Sequence, residues 1–240
     1  MPTAISVVWS NDNLYDNLNH GTSMKKIIIV IVAALLASEI VQAQGTIYLS
    51  NLGQPSTGTL AVGSDSWLAG VFKTGDNVAG YILNSIQLEM TDASGNPSGF
   101  TVMVYANSNP ATISPGSNIG TINGSLTPAT GGIYTYTPAA NLTLSAFSSY
   151  FIVLTAGTTI ANGAYDWSLA GANSYNPNGH WGGITGVWNS SNGSSWNLPT
   201  PTAVFPQYAI TATAIPEPPS AFLLLLGSGV LLYVRRIFHR

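Results

Sequence analysis

Cysteine is absent from the 240 residues, which removes disulfide frameworks, thiolate zinc sites and cysteine nucleophiles together. The stability of the chain must therefore come from burial and backbone pairing. Charge is scarce as well. Asp, Glu, Lys and Arg make up 6% of the residues, against about a quarter in typical soluble proteins. Between Gln44 and Ala214 the one basic side chain is Lys73, with no arginine at all. Neutralising a phosphate backbone takes several Lys or Arg, so nucleic acid is not expected as a partner. The same stretch holds one histidine, His180, too few nitrogen ligands for a zinc centre.

Catalytic equipment is equally thin. A two-carboxylate hydrolase needs a facing pair of acids, and the stretch offers Asp65, Asp76, Glu89, Asp92 and Asp166. Glu89 falls on the polar face of an alternating segment, and Asp92 in what reads as the turn after it, where Asp is ordinary turn chemistry. A serine triad would need His180 as its base. No Gly-x-Ser-x-Gly elbow accompanies it, since Gly63-Ser64-Asp65-Ser66 lacks the second glycine. No catalytic residue and no cofactor are expected, and a glycan-active enzyme is the remotest reading. Asp76 with Asn77, or Asp92 with Asn96, are weak calcium candidates of structural kind, neither at EF-hand spacing.

Two apolar runs frame the chain. Lys25 and Lys26 precede Ile27–Ala37, after which polarity rises to Val41-Gln42-Ala43. A basic start, a short apolar run and small residues at its end are the parts of a secretory signal peptide, with cleavage expected between Ala43 and Gln44 by signal peptidase after passage through the Sec machinery. Residues 1–23 are polar and end just before Met24, which makes them a candidate mis-assigned start or a disordered extension, with the signal at 24–43.

At the other end, Pro216-Glu217-Pro218 precedes the apolar run Ala221–Val234 and then Arg235 and Arg236. Proline fixes φ and cannot continue a helix, so the motif should be extended and accessible. As a helix, the run plus its flanking Pro219 covers about 24 Å, short of the ~30 Å hydrocarbon core. The arginines behind it place the chain's end in the cytoplasm by the positive-inside preference.

This order of motif, apolar run and basic pair in 215–240 resembles the PEP-CTERM sorting signal of Gram-negative bacteria that make extracellular polysaccharide. The resemblance implies recognition of Pro216, Glu217 and Pro218 by an exosortase-type membrane enzyme, with Arg235 and Arg236 as the basic stop. It also implies transient anchoring in the membrane and delivery to the cell envelope or beyond. An ordinary C-terminal membrane anchor is the alternative.

Between these ends, residues 44–214 leave roughly 170 residues, enough for one domain with a sizeable core. Their periodicity is two. Ile86, Leu88 and Met90 alternate with Gln87 and Glu89, and Tyr150, Ile152 and Leu154 with Phe151 and Val153. Turn signals recur at Asp92–Pro97, Ser108–Pro110, Ser114–Gly116 and Thr130–Gly132. The pattern predicts strands over 46–50, 59–62, 67–72, 80–90, 100–106, 118–123, 132–137, 149–155, 164–169, 184–188 and 207–214. Such strands bury their apolar faces by stacking. The expected fold is all-β, an antiparallel β-sandwich of jelly-roll type flanked by a signal-peptide helix and a C-terminal transmembrane helix.

The stretch from Trp67 to Thr155 also resembles the choice-of-anchor type of bacterial surface domain, in its R-like form. The residues concerned are Trp67–Gly75, Leu83–Leu88, Gly95–Val102, Gly132–Tyr136 and Leu144–Leu154. The resemblance implies a surface β-sandwich without an assigned activity. Where that family carries glutamine before its Phe-Thr-Thr-Gly, this chain has Val71-Phe72-Lys73-Thr74-Gly75.

Residues 172–206 differ in texture, with Trp181, Trp188 and Trp196, His180, abundant Asn, Gly and Ser, and a proline-rich exit. Long irregular excursions are more often functional than short connections. Tyr175, His180, Trp181, Trp188 and Trp196 are therefore candidates for a neutral-polysaccharide-binding surface, flat rings meeting sugar C–H faces and amides meeting hydroxyls. The competing reading makes the tryptophans core plugs. The functional expectation is an exported, non-catalytic structural or interaction protein of the cell envelope or extracellular matrix, with polysaccharide binding as the alternative.

Overall fold

The two-residue alternation is realised in the computed structural model, which describes residues 45–109, 111–171, 180–183, 186–198 and 205–217. Among these the strands are β1 (Thr46–Ser50), β2 (Ser56–Val62), β3 (Trp67–Lys73), β4 (Tyr81–Gly95), β5 (Thr101–Asn107), β6 (Pro115–Asn123) and β7 (Gly132–Pro138). They continue with β8 (Leu142–Leu144), β9 (Ser149–Thr155), β10 (Gly163–Ala170), β11 (Val187–Ser190), β12 (Phe205–Pro206) and β13 (Tyr208–Ala214). Every pairing is antiparallel. The one helical turn among the described residues is a 3-10 turn at Ile160–Asn162.

The strands form one curled sheet in the order β1-β13-β4-β7-β6-β5-β9-β3-β11, with β10 paired to β2, β4 and β12, and β8 paired to β4. The curl turns at β6 and β7, which share only Ile122↔Pro138 and Asn123↔Thr137. On one side of that corner, Leu49, Ile86, Leu88, Met90, Tyr136 and Ile210 point inward; on the other, Leu68, Phe72, Val102, Val104, Ile152 and Leu154 do. They make one continuous core, in which each large side chain is worth about 1.5–3 kcal/mol of burial.

Strand β4 shows how pattern and register cooperate. Its buried positions run Tyr81 and Leu83, then Ile86, Leu88 and Met90, a break of phase after Leu83. The register against β13 shifts between Thr211 and Ala212, which face Ser85 and Leu83. The extra residue on β4 is a bulge that returns the apolar set to the core face.

Strands β3, β5 and β9 are covered on both faces. Outside the main core, Ala69, Val71, Met103, Tyr105, Phe151, Val153 and Trp188 form a second cluster, with Trp67 and Trp196 packed against it. Burial on both sides explains why Tyr150–Leu154 is continuously apolar. Across the main core, Trp167 of β10 is fully buried and its ring reaches Gly70, where an added Cβ would come within 2.8 Å of it.

The all-β, antiparallel expectation matches the structure, with differences at the edges. Asp92–Gly95 is not a turn. It extends β4, because β10 offers a pairing partner as far as Gly163↔Gly95, and tertiary pairing outweighs local turn preference. Pro115 begins β6 opposite Asn107 rather than sitting in a turn. The short strands β8 and β12 are additional. The strand expected over 184–188 is Val187–Ser190, residues 184 and 185 lying outside the described residues. The expected signal-peptide helix and C-terminal helix also fall outside them.

Candidate functional site

Strand β13 ends against the loop that joins β3 to β4. Gly80 adopts φ 85° there, a conformation glycine reaches without strain. Its carbonyl accepts from the Ile215 N–H at 3.0 Å. The Asn77 amide donates to the Gly80 carbonyl at 2.6 Å and to the Ile215 carbonyl at 2.9 Å. Asn77 thus uses its two N–H donors to tie the turn before β4 to Ile215, the first residue after β13. Pro216 and Glu217, immediately beyond the clamp, are exposed. Pro218, Arg235 and Arg236, like Ala43 and Gln44 at the other end, lie outside the described residues. Among the described residues no helix is long and apolar enough to cross a membrane.

The aromatic candidates do not form an exposed platform. Trp181 is 3% exposed. It stacks on Tyr48 with ring centres 4.9 Å apart, lies parallel to Phe72 at 6.0 Å and meets the edge of Tyr81 at 5.0 Å. Trp188 is 5% exposed and packs edge-on against Phe151 at 5.1 Å. Trp196 is half-buried beside Tyr105. The expectation of a glycan-stacking surface at Trp181 and Trp188 is therefore corrected. The inner face of β3 and the outer face of β9 present apolar surface that only large rings cover, so both tryptophans close the core. Nε1 of Trp181 and of Trp196 has no hydrogen-bond partner among the described residues.

His180, one residue before Trp181, stays in water. Its Nδ1 lies 2.7 Å from Oδ2 of Asp76, with side-chain exposures of 79% and 48%. The two neighbours part because a carboxylate and its imidazole partner are costly to bury and an indole is costly to expose. His180 also has φ 60°, which turns the chain sharply at this point. Tyr175 lies outside the described residues.

The carboxylates are separately engaged. Asp65 accepts from the Ile160 N–H at 2.9 Å, Glu89 from the Gly53 N–H at 3.4 Å and Asp92 from the Gly131 N–H at 2.8 Å. Asp166 is paired with Thr59, and burial raises its pKa above the ordinary carboxylate value. Asp76 precedes β4 and Asp92 lies near its far end, so the two calcium candidates are separate places on the body. Among the described residues no three of His, Asp and Glu cluster as metal ligands would.

A further group was not visible in the sequence. Thr74 is fully buried. Its hydroxyl donates to the Ser145 carbonyl at 2.6 Å and accepts from the Ser148 N–H at 2.9 Å. It fixes the β8–β9 loop onto the end of β3, across 71 and 74 residues of sequence. Pattern alone cannot signal such a contact, because threonine there fits an ordinary strand end.

No protein-family model matches the chain, and no curated protein matches it.

Proposed function

We propose that the chain is an exported, non-catalytic protein of the cell envelope or extracellular matrix, sorted through its C-terminal signal by an exosortase-type enzyme. The observation that carries this reading is the exposed Pro216-Glu217 pair directly after β13, one residue past the Asn77 clamp. A processing enzyme reads an extended, protruding peptide, and proline keeps it extended. The basic and apolar run of 24–43 would deliver the chain to the Sec machinery and signal peptidase, and the apolar run before Arg235 and Arg236 would hold it in the membrane until processing.

The body supports the reading by its makeup. Its carboxylates are dispersed and individually bonded, and its surface is neutral and rich in hydroxyl and amide groups. The two facing halves of the curled sheet favour a sandwich of jelly-roll type, the architecture implied by the choice-of-anchor resemblance. Its role would then be structural, or one of interaction with extracellular polysaccharide.

The test replaces Pro216, Glu217 and Pro218 together by alanine and follows the protein through cell fractionation. Retention of the unprocessed chain in the inner membrane is expected. An unchanged distribution between membrane, envelope and medium overturns sorting through this motif.

A further inference from the structure

Beside the loop fixed by Thr74 lies an open groove of about 460 Å³, lined by Lys73, Asn107, Ile113, Phe147, Ser149 and Tyr150 among others, within the roughly 300–1,000 Å³ usual for ligand sites. Its composition is unlike the rest of the surface. Lys73 is the only basic side chain between Gln44 and Ala214. It is exposed, and its ammonium has no salt bridge or hydrogen bond among the described residues. Asp76 is the acid nearest in sequence, and it faces His180 at 2.7 Å. Asp65 precedes the opposite end of β3, and Asp92 and Asp166 belong to the far part of β4 and its β10 partner.

Phe147 is the second unusual wall. It is 61% exposed and holds φ 51°, a conformation uncommon for a bulky residue. Nothing in its own burial rewards that geometry. The surrounding bonds impose it: the Phe147 N–H donates to the Gly75 carbonyl at 2.9 Å, and Thr74 fixes Ser145 and Ser148 on either side. The ring is therefore held out over the groove by a rigid frame. Asn107 also lines the groove, its amide bonded to Asn109 and Ser114 at 2.7 and 3.0 Å.

We propose that this groove binds the carboxylated sugar rings of an acidic polysaccharide. Lys73 pairs with the carboxylate, Phe147 lies against the C–H face of the ring, and Ser149 meets a hydroxyl. A lone cation among hydroxyl groups engages one carboxylate at a time, and an exposed flat ring gives a pyranose a face that an acidic peptide lacks. The site is distinct from the buried tryptophans and takes a ligand of opposite character to the neutral glycan expected there. It does not depend on how the C-terminal signal is used.

The test measures binding of the full chain, purified in detergent, to polygalacturonate, to neutral dextran and to poly-L-glutamate. Polygalacturonate should bind best, with Lys73→Gln weakening it by about tenfold or more, the loss expected for a hydrogen bond to a charged group. Lys73→Arg should retain binding. Phe147→Asn tolerates the positive φ, so it keeps the loop while removing the ring, and should weaken binding several-fold. Unchanged thermal melting of the variants separates binding from folding. Absence of polygalacturonate binding, equal binding by Lys73→Gln, or equal binding of dextran or poly-L-glutamate overturns the proposal.

Discussion

The Asn77 side chain holds the carbonyl of Ile215, 138 residues later in the chain, at 2.9 Å. The same amide holds Gly80, so one residue defines both the turn into β4 and the end of β13. The boundary between body and tail is thereby fixed at a single residue.

Replacing Asn77 by alanine should remove both bonds and leave the Ile215 carbonyl to water, while the Gly80 carbonyl keeps only the Ile215 N–H. The expected loss is about 1–2 kcal/mol, read as a lower urea midpoint at constant slope. Proteinase K should also cut at residues 214–217 faster than in the parent chain, because the end of β13 would fray.

Trp181→Ala should behave as a core truncation. Removing a ring stacked on Tyr48 and Phe72 is expected to cost about 3–5 kcal/mol in equilibrium unfolding. A small effect on stability, accompanied by loss of neutral-glycan retention, would contradict the packing described for it.

Gly70→Val tests the close approach of β3 to Trp167. With only 2.8 Å between the ring and a Cβ at that position, the larger side chain must push the indole out of its site. A loss of about 1–3 kcal/mol is expected. The Trp167 N–H bond to the Gln207 carbonyl, now 3.0 Å, should lengthen, exposing the indole to fluorescence quenchers.

Alkaline unfolding should involve two buried tyrosines. Burial raises the pKa of Tyr136 and of Tyr165 above the ordinary 10.0. Their hydroxyls donate to the carbonyls of Ser125 and of Pro97 and Leu126. Above pH 10 the unfolded chain binds fewer protons than the folded one, so stability falls as pH rises. The slope is at most about 1.4 kcal/mol per pH unit for each tyrosine. Below pH 10 these groups contribute no pH dependence. Tyr136→Phe and Tyr165→Phe should each flatten the alkaline limb, measured as urea midpoints between pH 8 and 11.

The strands were legible in the sequence because alternation reports a half-buried surface directly. Ile86, Leu88 and Met90 announce β4 whatever lies across from them. The extension of β4 to Gly95 was not legible, since it depends on β10, some 70 residues later, supplying a partner. The tryptophans show the same limit. Indoles near Asn and Gly look like a recognition loop until Tyr48, Phe72 and Tyr81, from three separate strands, are seen to enclose one of them. The groove beside Lys73 depends on loops joined through Thr74, and only the scarcity of cations pointed to that lysine. By contrast, the exposed Pro216-Glu217 pair follows from local proline chemistry and needed no long-range information.

Strand β13 sits between β1 and β4, so the first ladder of the body is closed by its last seven residues. A ribosome emits those residues late, and until then the leading edge has nothing to zip onto. Completion of this edge is then a late event, slow in the way that distant pairings impose, and clipping the chain before Tyr208 would strip β1 of its partner and bare one edge of β4, leaving a sticky, half-laced product instead of a smaller working one.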